Sequence, residues 1–259
     1  MSNQVTIGID VGTGSVRAGV FTLSGKMLGT ASASIKENHP REDFYEQSSR
    51  DIWEQTGVVV RKALSESGRT AQDVIGLSYD ATCSLVALDA KQGPVTVSES
   101  GDDDWNIIVW RDHRAIDQVT RINDDGYDVL RYVGGIMSPE QEPPKLLWIK
   151  ENLPQTWERT AKFFDLADFM VFQSTGQDLR SLCTNVCKWT YLGHESRWDQ
   201  SFFDAVGIVV HLPRSPAVSG KVNKSGFMED NSADSSAFEA SYVGVERSEI
   251  RVAEVVQVL

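Results

Sequence analysis

Long apolar runs are missing from this 259-residue sequence, and none approaches the roughly 18 residues that a membrane-spanning helix requires. Met1 to Asp10 lacks a basic segment followed by an apolar one, so no secretory signal is expected. Positive charge is also scarce. Lys and Arg number 25 against 37 Asp and Glu, a formal net charge of −12, and a field of that sign repels phosphate backbones and anionic lipid. Nucleic acid and membrane surfaces are therefore not expected partners. Cysteine is scarcer still: Cys83, Cys183 and Cys187 are too few, and odd in number, for a disulfide framework, and they fit a reducing, cytoplasmic compartment. Cys183 and Cys187 stand one helical turn apart with His194 near, but no fourth ligand at matching spacing makes a zinc site. All three cysteines read as packing residues. His39 and His211 have no evident partner, and no internal repeat is present. With 41% hydrophobic residues, the chain can bury one sizeable core or two small ones.

The β-branched run Val5 to Ile9 reads as a buried strand that ends at Asp10 in a glycine-rich turn. Val16 to Leu23 reads as a second strand, Ser24-Gly25 as a hairpin turn, and Met27 to Ile35 as a third strand, so a meander opens the fold. Ile52, Thr56, Val59, Val60, Ala63 and Leu64 share one helical face, with Ser48 or Ser49 as N-cap and Gly68 just past the end. Val74 to Ser78, Ser84 to Leu88 and Ile107 to Trp110 read as further strands. Asp102, Asp103 and Asp104 between them form a solvated loop. His113 to Leu130 reads as largely helical, and Pro143-Pro144 opens a helix whose apolar surface comes from Leu146, Leu147, Trp148 and Ile149. Lys145 and Trp148 fit a structural helix better than a ligand site. Phe163 to Phe172 resumes the core. Ser215 to Ser241 holds seven serines among charged residues and few large apolar ones, a composition with little to pack. Arg251 to Leu259 contains several valines but no neighbouring strand signal.

The densest chemistry lies in Asp10-Val11-Gly12-Thr13-Gly14-Ser15-Val16-Arg17. Two glycines let backbone N–H groups approach an anion, Thr13 and Ser15 add hydroxyl donors, Arg17 adds a cation, and Asp10 could hold a metal ion or its water. These parts suit a phosphate, and they equally make a plain turn between two strands. The dinucleotide fingerprint does not fit, because its third glycine falls at Arg17, and no Gly-Lys-Ser/Thr completes a Walker loop.

The turn Asp-x-Gly-Thr-x-Ser-x-Arg inside a β-hairpin resembles the first phosphate loop of the actin-like, ribonuclease-H-fold ATPases and sugar kinases. Five further stretches narrow the likeness: Tyr79-Asp80-Ala81-Thr82-Cys83-Ser84, Trp110 to Ala115, Met137-Ser138-Pro139-Glu140 through Lys145-Leu146-Leu147-Trp148, Asp168-Phe169 to Thr175-Gly176, and Cys187-Lys188-Trp189. In this order they resemble the FGGY carbohydrate kinases, most of all the ribulokinase-type members. An actin-like ATPase or chaperone would lack the segments at Asp80 to Ser84 and Trp110 to Ala115. The resemblance implies an α/β, ribonuclease-H-like domain with a mixed central sheet flanked by helices. It also implies ATP- and Mg2+-dependent phosphorylation of a small-molecule sugar, a D-ribulose-like pentulose first. On it, Gly12, Thr13, Gly14, Ser15 and Arg17 face the transferred phosphoryl group and Asp10 orients Mg2+ through water. Ala81, Thr82, Asp112 and Lys188 meet the sugar. Asp112 could instead cap the following helix, and Lys188 could be a solvated surface lysine, although Cys187 and Trp189 beside it favour a cleft.

The resemblance covers residues 4–207 and is expected to stop near Gly207. Residues 208–259 then form a divergent, poorly ordered tail, and the family's C-terminal domain is absent. The family's catalytic base, an aspartate in a glycine-rich segment after an apolar strand, is not found: Asp234 has neither glycine pair nor strand. A truncated kinase with little or no activity alone is the expectation, the alternative being a non-catalytic sugar- or nucleotide-binding or protein-interaction remnant.

Overall fold

In the computed structural model, residues 3–208 and a short strand at Val243–Gly244 are described. The serine-rich tail, His211, Asp234 and Arg251 to Leu259 lie outside the described residues. The opening meander is as expected: β1 (Val5–Val11), β2 (Ser15–Thr22) and β3 (Met27–Ser34) pair antiparallel in sequence order. Alternation along β1 buries Val5, Ile7, Ile9 and Val11 and turns Thr6, Gly8 and Asp10 to the opposite face. Gly25, at φ 82°, makes the left-handed bend between β2 and β3.

Two-residue strands β4 (Glu37–Asn38) and β5 (Glu46–Gln47) precede helix α1 (Ser49–Ser67), which lies across β2 and β3. The caps are those the sequence indicates. The Ser48 hydroxyl accepts from the Asp51 N–H, and Gly68, at φ 66°, donates to the Leu64 and Ser65 carbonyls. Strand β6 (Val74–Ala81) then returns parallel to β1. Next come β7 (Leu85–Leu88), β8 (Ile107–Ile108), α2 (Ile116–Asp125), α3 (Glu142–Asn152) and α4 (Pro154–Arg159). The chain continues through β9 (Lys162–Asp165), α5 (Leu166–Thr175), α6 (Leu182–Trp189), α7 (Gln200–Val206) and β10 (Val243–Gly244).

The expected mixed central sheet has the order β10-β6-β1-β2-β3, with β1 and β6 parallel and the other neighbours antiparallel. A second sheet, β4-β5-β8-β7-β9, stands beside it; of the two cores, the first also takes Val86, Leu88, Ile107 and Phe164 from this second sheet. Ile52, Val59, Val60 and Ala63 of α1, and Phe169, Met170 and Phe172 of α5, fill the first core against β1 and β2. Trp148, Phe163, Trp189, Phe202 and Phe203 fill the second. Among the described residues no helix is long and apolar enough to cross a membrane.

Several elements depart from expectation. Strand β6 runs on to Ala81, because parallel pairing with β1 continues through Asp10↔Asp80 and Val11↔Ala81 despite the polar side chains. The strand at Ile107 stops at Ile108, where a turn closed by the Asp112 N–H on the Val109 carbonyl takes over. The expected helix from His113 to Leu130 is only α2, ended by left-handed Gly126 at φ 71° and followed by a 3-10 turn at Asp128–Val133. The loop at Asp102 to Asp104 is tied rather than freely solvated: Asp103 pairs with Arg159 at 2.7 Å and Asp104 pairs with Arg50. His39 does have partners, Glu37 at 3.7 Å and the Tyr45 ring edge-on at 4.6 Å. Cys83 and Cys183 are half-buried, but Cys187 is exposed, because α6 turns Thr184, Asn185 and Trp189 inward instead.

The tightest joint between helix and sheet is at Gly29. A Cβ there would fall 2.5 Å from the Ala63 carbonyl oxygen and 2.7 Å from the Ser67 nitrogen, both backbone atoms that cannot step aside. Gly29→Ala is expected to lift α1 off β3 and destabilise the fold by about 2–3 kcal/mol, read as a lowered urea midpoint at unchanged slope. A midpoint equal to that of the unsubstituted chain would mean that the helix stands further off than this contact requires.

Candidate functional site

The β1–β2 turn stands at the edge of the central sheet, held by bonds at its base. Gly12 donates to the Ser15 carbonyl at 2.9 Å, Ile35 to the Gly14 carbonyl at 3.2 Å, and Thr82 to the Val11 carbonyl at 3.1 Å. Neither glycine has a positive φ, and a Cβ on Gly14 would meet nothing within 4 Å. On Gly12 it would be in ordinary contact with the Ser15 carbonyl oxygen at 3.5 Å. Neither backbone conformation nor internal packing therefore requires glycine there. What the missing side chains leave is room outside the chain, the condition for an anion to reach backbone donors. Among the described residues no acceptor meets the Thr13 or Gly14 N–H. Arg17 extends along the same face, 2.8 Å from Asp10 and 3.4 Å from the Ser15 hydroxyl.

Asp10 and Asp80 occupy paired positions on parallel strands, so both carboxyls project to the same face. With Gly8, Arg17, Gly19 and Ser78 they line a groove of about 290 Å³. Burial first, then the charge of Asp10, raises the Asp80 carboxyl above the usual carboxylate range. A dication between the two would relieve that repulsion, so the pair suits Mg2+. Among the described residues there is no group of three or more His, Cys, Asp or Glu able to hold a metal ion. A cation held by two carboxylates keeps water in most of its shell, as Mg2+ tolerates.

The next strand ends converge on the turn. Ala81 is buried, Thr82 is half-buried, and the Thr82 and Ser84 hydroxyls are 3.3 Å apart. The Trp110 backbone N–H donates to Ser84 at 3.2 Å and its indole N–H to the Thr13 hydroxyl at 3.1 Å. Gln47 donates from its side chain to the Thr13 carbonyl at 2.5 Å. Gln47, Asp80 and Trp110 are thus members of the site that sequence reasoning did not nominate. The signal for Asp80 was strand register, for Gln47 its pairing in the second sheet, and for Trp110 its place just past β8.

Asp112 sits inside the chain and does not have the helix-capping role that the sequence also allows. It is fully buried, and its oxygens accept from the Tyr45 N–H at 2.6 Å, the Arg114 N–H at 2.9 Å and the Arg114 guanidinium at 2.8 and 2.9 Å. It does not cap α2, whose N-cap is Ala115. Its carboxylate holds an internal ion network rather than an open surface.

Lys188, half-buried on α6, has no hydrogen bond to residues 10–17 or 80–84 among the described residues. It lies within Coulombic reach of Glu142 and Asp165. Lys145 is fully buried, and its ammonium stands 3.6 Å from Glu142. Burial pushes the Glu142 carboxyl up to about 8 against the opposing pull of Lys145, and raises Asp165 and Asp168 as well. Trp189 donates its indole N–H to Asp165 at 2.5 Å, and Thr184 its hydroxyl to Asp168 at 3.0 Å.

The sequence profile of the FGGY family of carbohydrate kinases, N-terminal domain, matches residues 5–239, which reaches past Gly207. A Homo sapiens FGGY carbohydrate kinase domain-containing protein is 48% identical over 203 residues, 78% of this chain and 36% of that protein. The D-ribulokinase YDR109C of Saccharomyces cerevisiae is 41% identical over 213 residues, 78% of this chain and 29% of that one. Ligand-bound xylulose kinase from Lactobacillus acidophilus superposes with a TM-score of 0.69 at 20% identity, over 79% of this chain and 40% of that one, a likeness of fold. The chain spans about a third of the length of the curated relatives it matches.

The raised Glu142 carboxyl fixes the sign of one pH effect. The folded chain keeps a proton that the unfolded chain has lost, so this contribution to stability is complete below the ordinary Glu range near 4.5 and is lost as pH rises through about 8. Melting temperature is expected to fall between pH 5 and 9, and Glu142→Gln to flatten that slope. A slope unchanged in the variant would remove Glu142 from the account.

Proposed function

The chain belongs to the FGGY family of carbohydrate kinases, and on that premise we propose that it brings together ATP, Mg2+ and a pentulose of the D-ribulose type on the edge where β1 and β6 end. The turn at residues 12–17 carries this reading, because it offers N–H groups without acceptors beside open space. Gly12 and Gly14 admit the transferred phosphoryl group, the Thr13 and Ser15 hydroxyls and Arg17 donate to its oxygens, and Asp10 with Asp80 holds Mg2+ through water. When bound, the ion neutralises charge on the phosphoryl oxygens. Ala81 and Thr82, across the Thr82 bond to Val11, together with Lys188, face the sugar, and Asp112 keeps the strand ends behind them in place. The relative named D-ribulokinase supports the pentulose. No described residue is assigned as the base that takes the hydroxyl proton.

Gly14 is exposed and Asp10 and Arg17 are about half-exposed, so the described residues form one open wall. Phosphoryl transfer depends on positioning and on excluding water. On this reading the described residues by themselves bind these ligands and turn over slowly, and fast turnover needs a second covering surface. This non-catalytic or weakly catalytic reading is the second one kept, and the openness of the turn favours it.

Gly14→Ala separates binding from folding. Its unfolding free energy is expected to stay within about 0.5 kcal/mol of the original, while affinity for a magnesium-bound, non-hydrolysable ATP analogue, measured by calorimetry, falls at least about tenfold. Pentulose binding is expected to be unchanged. Equal nucleotide affinity in the two proteins would show that phosphates do not approach this turn.

A further inference from the structure

Gln47 is fully buried on β5, yet only half of its amide is used. The nitrogen donates to the Thr13 carbonyl at 2.5 Å, and the oxygen, also buried, meets no donor among the described residues. Leaving a buried acceptor unpaired costs about 1–3 kcal/mol, which an apolar residue of similar size would avoid. The position therefore gives up stability, and what it gains is a hold on the phosphate turn.

The direction of that hold follows from peptide geometry. The carbonyl of Thr13 and the N–H of Gly14 belong to one trans planar unit and point in opposite directions. Fixing the carbonyl to Gln47 aims the Gly14 N–H the opposite way, where no acceptor among the described residues meets it. Trp110 acts on the neighbouring donor. Indole N–H can only donate, so the Thr13 hydroxyl accepts from it at 3.1 Å and its own proton is left to donate elsewhere. Both clamps come from the second sheet: Gln47 pairs with Ile107 across β5 and β8, and the chain reaches Trp110 just past β8.

We propose that Gln47 and Trp110 are positioning residues that aim two donors of the turn, the Gly14 N–H and the Thr13 hydroxyl, at the phosphoryl group of the nucleotide. The inference rests on the reading of residues 12–17 as a phosphate site. It adds that the site is set by the second sheet and not by the turn's own sequence.

Gln47→Leu tests it, with Trp110→Phe as a second variant that keeps an aromatic ring and loses the indole donor. Stability, nucleotide binding and backbone order are measured on the full chain. Gln47→Leu is expected to unfold at an equal or higher denaturant midpoint, because the unpaired oxygen is gone. Its affinity for the magnesium-bound, non-hydrolysable ATP analogue is expected to fall about tenfold. The Gly14 amide order parameter from NMR relaxation is expected to drop from about 0.85 towards 0.6 or below. A variant that loses stability but keeps both the order of Gly14 and the affinity would overturn the proposal and leave Gln47 a packing residue. If the unsubstituted chain takes up no nucleotide, the phosphate reading fails, and the order parameter alone then decides whether Gln47 sets the turn.

Discussion

The parallel pairing of β1 with β6 is the constraint on which the candidate site depends. Antiparallel neighbours alternate direction, whereas parallel neighbours leave a sheet at the same edge, and a crossover must bring the second strand back to the start. Helix α1 is that crossover. It returns the chain to Val74 so that β6 runs beside β1 up to Val11↔Ala81, and the Thr82 N–H closes the pair on the Val11 carbonyl. The turn after β1 and the turn after β6 therefore emerge together. One register then fixes two further facts: Asp10 and Asp80 share a face, and the residues from Ala81 to Ser84 stand beside Gly12 to Ser15. A slip by one residue would send one carboxyl into the core and the other into solvent.

A second constraint lies behind the second sheet, at the segments that reach the first. The Arg114 side chain is fully buried, a position that a guanidinium keeps only when its donors are satisfied. It pairs with Asp112 at 2.8 Å and Glu46 at 3.1 Å, donates to the Val97 carbonyl at 2.8 Å, and lies over the rings of Phe44 at 4.3 Å and Trp148 at 4.9 Å. Glu46 immediately precedes Gln47, and Asp112 follows Trp110 by one intervening residue. The network therefore anchors the two segments that reach the Thr13 turn, so a buried charge cluster some distance from the open face sets the position of its donors. Asp112, which the family resemblance offers as a sugar contact, lies beside the site with its oxygens bonded to Tyr45 and Arg114.

What the sequence disclosed divides by range. The meander, α1 with both of its caps, and the turn at Gly12 to Arg17 are written in local signals: alternation, helical spacing, a serine before the helix and a glycine after it. These are observed almost residue for residue. The second sheet was legible only in fragments, because two-residue strands such as Glu46–Gln47 have no periodicity and exist only through partners far along the chain. Everything that depends on that sheet was correspondingly obscure, including the role of Gln47 and the inward turn of Asp112. Asp80 lay within a recognised segment, but its partnership with Asp10 required the register of two strands. The Glu142, Lys145 and Asp165 cluster illustrates the opposite problem. Lys145 reads as part of a structural helix, but only the fold brings Glu142 and Lys145 of α3 within Coulombic reach of Asp165 on β9 and buries all three.

Two glycines show how the fold distributes its tolerance. At Gly29 a methyl group would strike the backbone of α1, so the residue is dictated from within by close packing. At Gly14 nothing among the described residues opposes a methyl group, and no left-handed φ requires its absence. Local rules of stability would favour alanine at Gly14, since it restricts the unfolded chain at no cost to the folded one. They would also favour an apolar side chain at Gln47, whose amide oxygen meets no donor among the described residues. Both departures from those rules converge on one peptide unit, the one between Thr13 and Gly14, at the edge where two parallel strands end. A sequence that optimised only its own packing has no reason to place them together. Departures from stability that share a location and leave backbone donors facing open space are what a site for an external anion requires, and here they mark that peptide more sharply than the glycine pattern does.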